Sequence, residues 1–110
     1  MRLTTTGRRS GQPRHVIIGY LEDGPNLVAL AMNGWDEGDP AWWLNLQANP
    51  EAEITLAGGV SRSVRGRAAA GNEREDLWRR WVETDPKLTA HAPDRTTVTP
   101  IVVFEPVGAS

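Results

Sequence analysis

The chain has 110 residues, with 12 Lys and Arg against 14 Asp and Glu and a formal net charge of −2. That is one domain's worth of sequence, residues 1–110, without the overall basic field that would hold nucleic acid. Hydrophobic residues at 39% and charged residues at 24% exclude a disordered chain, and the lack of cysteine excludes disulfides, thiolate catalysis and Cys-ligated metals.

In chain order, the first stretch is Thr4 to Arg14 (TTTGRRSGQPR). Arg2, Arg8, Arg9 and Arg14 all precede the first acid, Glu22, so the N-terminus is a cationic patch on a mildly acidic protein. Gly7 and Gly11 allow turns that expose backbone N–H groups, and guanidinium forks suit phosphate or carboxylate. Two readings follow: an anion cradle, or a solvated basic terminus. It is not a P-loop, because no Gly-Lys-Ser/Thr follows.

His15 to Tyr20 reads as a strand, Glu22 to Asn26 as a turn and Leu27 to Met32 as a second strand, together a hairpin. Asn33 to Asp39 is a Gly-rich acidic loop. Pro40 to Ala48 predicts a helix with Asp39 as cap, Pro40 in the first turn and Asn49-Pro50 as the stop. Two adjacent tryptophans there, Trp42 and Trp43, suit either a core or an aromatic ligand. Asn45 lies beside the apolar face and, if buried, needs a hydrogen-bond partner.

Glu53 to Leu56 is a short strand, Gly58-Gly59 a turn and Val60 to Ala70 a longer strand with a wet face. Asn72 to Thr84 is the clearest helix, with Asn72 and Glu75 as a capping-box variant and Leu77, Trp78, Trp81 and Val82 forming one stripe. Thr99 to Glu105 is a final strand. Strand, strand, helix, strand, strand, helix, strand is not a Rossmann order. It predicts a small antiparallel barrel with helices packed outside. No run reaches the roughly 20 apolar residues of a membrane span. Of the two histidines, His91 is a candidate acid–base residue and His15 a weaker one, each against a solvated alternative.

Leu3 to Arg14 (LTTTGRRSGQPR), Met32 to Leu46 with its Pro40 to Leu46 (PAWWLNL), Arg67 to Trp78 and Pro100 to Pro106 (PIVVFEP) together resemble the deazaflavin-dependent nitroreductase family over nearly the whole chain. That resemblance implies a mainly β fold with flanking helices, a split β-barrel of the FMN-binding type. It implies coenzyme F420 as cofactor, with FMN as the alternative, its phosphate held by Arg8, Arg9, Ser10, Gly11 and Arg14. Met32, Asn33, Gly34 and Trp35 would line the deazaflavin ring, with Trp42 and Asn45 nearby. His91 would donate a proton.

The implied activity is hydride transfer from reduced F420 to a small-molecule electron acceptor: a quinone, nitro compound or activated alkene. The cofactor carries the chemistry and the protein positions it, which explains the lack of a catalytic dyad. The chain departs from well-known members on the acceptor side, with Met32 where they carry Ser, Trp35 where they carry Gly and Leu44 where they carry His. Further expectations are a cytoplasmic protein, at most peripheral at the inner face of the plasma membrane, and a homodimer. Competing readings are an F420 or FMN carrier without turnover, a haem-binding relative, and a partner-binding module with Trp35, Trp42 and Trp43 on the surface away from Arg8 and Arg14.

Overall fold

The structure is a computed structural model and describes residues 1–32, 40–85 and 99–107. Seven strands and two helices follow one another: β1 (Arg2–Thr6), β2 (Pro13–Ile17), β3 (Leu21–Asp23), β4 (Asn26–Leu30), α1 (Ala41–Ala48), β5 (Glu51–Thr55), β6 (Ser61–Ala68), α2 (Gly71–Thr84) and β7 (Ile101–Pro106). The strands form one antiparallel sheet in the order β2-β1-β5-β6-β7-β4-β3.

Its two edges, β2 and β3, are joined by Ile18 to Tyr20 alone. Such a link spans at most about 14 Å, whereas seven strands laid flat would separate the edges by about 29 Å. The sheet therefore coils until its edges approach. No β2–β3 ladder closes it among the described residues, so the split barrel expected from the resemblance is a coiled, open sheet.

Strand alternation sorts the side chains. Leu27, Ala29, Val102 and Phe104 join Leu3, Ile54 and Val64 inside the coil. Val28, Ile101 and Val103, on the opposite face of β4 and β7, pack with Leu77 and Ala69 beneath α2, flanked by half-buried Trp78 and Trp81. Two-sided burial is why β4 and β7 read as nearly unbroken apolar runs. By contrast β5 and β6 bury Ile54, Val64 and Gly66 and expose Glu51, Glu53, Arg65 and Ser63.

The helices are not both outside. Trp42, Trp43 and Leu46 of α1 belong to the interior cluster, so α1 plugs the coil while α2 covers its outer surface. Gly66 makes the plug fit: a Cβ there would stand 3.0 Å from a Leu46 methyl.

Three local expectations change. The predicted strand from His15 to Tyr20 is cut, because the chain turns the seam at Ile18, whose carbonyl accepts the N-terminal ammonium at 2.9 Å. The Thr4 to Arg14 stretch is itself a hairpin, β1 and β2 around a turn. Helix α2 begins at Gly71 with Ala70 as N-cap and no side-chain cap. The Asn72–Glu75 box does not form; the neighbouring Glu73 is instead held by Arg67 at 2.6 and 2.8 Å. Pro40 takes the N-cap position of α1, while Asp39 lies outside the described residues.

Candidate functional site

A cavity of about 440 Å³ opens between the β1–β2 turn and the start of α1. The turn supplies Gly7, Arg8, Arg9 and Ser10, β1 supplies Thr5, and β2 supplies Arg14, His15 and Val16. Pro40, Ala41, Trp42 and Asn45 form the facing wall. No acidic residue is among them, so one end is cationic and the other apolar and aromatic.

Hydrogen bonds within the chain hold the turn. The Gly11 N–H donates to the Gly7 carbonyl at 2.8 Å, and the Gly7 N–H donates to the Gln12 carbonyl at 2.8 Å. The Gln12 N–H donates to Ser10 Oγ at 3.2 Å. Gly7 is buried where the turn doubles back; a Cβ would lie 2.8 Å from Ser10 Oγ and 3.4 Å from Arg14 Nε. Only glycine allows Ser10 and Arg14 to close over that point.

Asn45 answers the requirement seen in the sequence. It is 3% exposed, and its Oδ1 accepts from the Arg8 backbone N–H at 3.2 Å and from Arg8 Nη1 at 2.9 Å. Its Nδ2 donates to Thr5 Oγ1 at 3.1 Å. Arg9 and Arg14 carry no ion pair among the described residues, nor do the amides of Arg9 and Ser10 have an internal acceptor there. Unspent donors therefore converge on the cationic end.

Of the residues singled out in the sequence, Arg8, Arg9, Ser10, Arg14, Trp42 and Asn45 border this one cavity. Gly11 does not: it is exposed at φ +69°, with its N–H committed to Gly7. Met32, half-buried after β4, does not border it either. Asn33, Gly34, Trp35 and His91 lie outside the described residues. The surface-tryptophan reading fails for Trp42 and Trp43, which are 6% and 7% exposed. The Trp42 ring lies against Phe104 with centroids 6.2 Å apart and shares the cavity with Arg8 and Arg14.

Sequence reasoning missed Thr5, whose role depends on its contact with Asn45, and saw Gly7 as a turn former without its close approach to Ser10 and Arg14. It also rated His15 low, although His15 borders the cavity. The His15 Nδ1 pairs with Thr4 Oγ1 at 2.8 Å, on the face opposite Thr5, so its ring turns away from the Asn45 side.

The family model for F420H2-dependent quinone reductases matches residues 1–106. The chain belongs to that family. An F420H2-dependent quinone reductase of Mycobacterium tuberculosis is 41% identical over 54 residues, 49% of this chain and 36% of the relative. The matched region thus spans about a third of that relative's length. A second protein of the same organism, described as a putative F420H2-dependent quinone reductase, is 33% identical over 76 residues, 69% of this chain and 63% of that one. Among solved structures, an F420H2-dependent reductase superposes with a TM-score of 0.82 at 28% identity, covering 94% of this chain and 91% of its own.

Proposed function

We propose that this chain is an F420H2-dependent oxidoreductase that reduces a small quinone-like acceptor. The observation that carries the reading is one cavity with unpaired Arg9 and Arg14 at one end and the Trp42 wall at the other. Its donor set fits a phosphate-bearing ring cofactor: two free guanidinium groups, free amides at Arg9 and Ser10, and an apolar slot for a flat ring. Reduced F420 would supply a hydride to the acceptor, which also takes up a proton. The protein's own work is to hold the phosphate, seat the ring and limit water around it.

In this reading Arg9 and Arg14 are the main phosphate partners, Arg8 adds its guanidinium edge left free by Asn45, and Ser10 adds its backbone amide. The family resemblance adds Asn33, Gly34 and Trp35 to the ring wall and His91 as a proton donor; it also implies Met32, which the cavity's lining does not include. A cytoplasmic location fits a cysteine-free chain, and no described helix is long and apolar enough to cross a membrane. A homodimer is supported by a structural neighbour described as a domain-swapped dimer, at a TM-score of 0.84 and 29% identity; sedimentation analysis tests it.

The deciding experiment titrates the protein with F420 and with FMN, following tryptophan quenching, and then follows oxidation of reduced F420 with a soluble quinone. Micromolar F420 binding with quinone-dependent oxidation supports the reading. Binding without turnover supports the carrier instead, and FMN binding in place of F420 moves the chain's chemistry to a flavin.

A further inference from the structure

Arg8 differs from its neighbours. Arg9 and Arg14 are free, whereas Arg8 is held twice by one side chain, through its backbone N–H and through Nη1, both on Asn45 Oδ1. This contact joins α1 to the β1–β2 turn across 37 residues of sequence. The orientation of the carboxamide is dictated by chemistry: a backbone N–H and a guanidinium only donate, so the oxygen must face Arg8. That leaves Nδ2 facing Thr5, whose Oγ1 accepts it; Thr5 is 2% exposed. A flipped amide would set donor against donor at a carboxamide that is 3% exposed, which costs more than an ordinary hydrogen bond returns.

We propose that Thr5 and Asn45 are positioning residues for the anion turn: Thr5 locks the carboxamide of Asn45, and Asn45 sets the backbone and guanidinium of Arg8 toward the anion. Asn45 therefore acts on the anion through Arg8. Its Oδ1 already accepts two hydrogen bonds, and one Nδ2 hydrogen is spent on Thr5. The inference rests on the reading of this turn as the phosphate cradle. It goes further in assigning preorganisation of that cradle to two buried uncharged side chains.

The test compares two probes, F420 and its phosphate-free deazariboflavin chromophore, by equilibrium titration. The quantity read is the ratio of their affinities. Thr5→Val removes the acceptor at nearly constant volume and is expected to lower the wild-type preference for F420 about tenfold, leaving chromophore affinity unchanged. Thr5→Ser keeps the hydroxyl and is expected to keep the preference. An unchanged ratio in Thr5→Val overturns the inference, as does an equal loss for both probes, which marks a packing role.

Should Thr5→Val not fold, the ratio is measured in Arg8→Ala, Asn45→Ala and the double variant. A relay through Arg8 predicts that the double variant loses less than the sum of the two single losses, because only the backbone contact of Asn45 survives in Arg8→Ala; fully additive losses overturn it. A wild-type protein that binds both probes equally overturns the phosphate reading itself, and the inference falls with it. A wild-type preference that survives in every variant overturns the inference alone.

Discussion

The arginines of the β1–β2 hairpin and Arg67 of β6 are set in opposite ways. Around Arg67 every charge is answered: Nε meets Glu105 at 3.0 Å, and the two terminal nitrogens meet Glu73 at 2.6 and 2.8 Å. That fork ties β6 to β7 and to the start of α2. In the β1–β2 turn, Arg9 and Arg14 have no acid among the described residues, and Arg8 is held by a neutral amide. Like charges packed without counter-ions oppose folding unless something else meets them. The difference separates an arginine that holds the protein together from arginines left without an acidic partner among the described residues, as the proposed phosphate role requires.

That contrast can be broken most sharply from the ligand side. Replacing Arg9 and Arg14 together with Ala should weaken F420 binding by roughly a hundredfold or more, since each removes a charge-assisted bond. Thermal stability should hold or rise slightly. A titration and a melting curve on the same sample check both halves; retained affinity would show that the free arginines serve something else.

The mirror experiment is Arg67→Met, which strands Glu73 and Glu105. It should cost about 1–2 kcal/mol of stability in denaturant titration and leave the F420 affinity of the folded protein unchanged. Acid sharpens the same point. The Arg67 guanidinium holds the Glu73 carboxyl below its ordinary value of 4.5 and is itself held protonated more firmly by the two carboxylates. The Glu73 contribution is therefore present above about pH 4.5 and fades as pH falls through the lower folded value. The Arg67→Met variant should lack that part of the acid-induced loss. Smallest of all is Arg79→Ala. Its pair with Asp76 spans 3.3 Å between side chains about two-thirds exposed, and no measurable stability change is expected.

The legible parts of the fold were those whose signal is local. Both helices, the β5–β6 hairpin with its Gly58-Gly59 turn, and β7 stand within a few residues of where periodicity and turn chemistry put them. Strand β1 did not, because its inward positions are Leu3 and Thr5: a threonine turned toward Asn45 looks like any exposed one in sequence. The capping box failed because the helix begins at Gly71 with Ala70 as its N-cap, which puts Asn72 inside the first turn instead of ahead of it. The seam at Ile18 was hidden because an edge strand that ends and another that begins read as one apolar run.

At the site, the cationic turn and the odd polar residue on α1 were both visible as chemistry. Their meeting was not, since Thr5 and Arg8 reach Asn45 from 40 and 37 positions away.

The sheet order carries a consequence for how the molecule is made. β1 with β2, β3 with β4, and β5 with β6 are local hairpins, and β1 can join β5 once residue 55 exists. Only β7 bonds to both β6 and β4. Until it is synthesised, the four-stranded piece carrying the anion turn and the two-stranded piece carrying β4 share no ladder. Among the described strands β7 comes last in the chain and is the stitch between them, so the interior that α1 fills has no complete wall until β7 has been made.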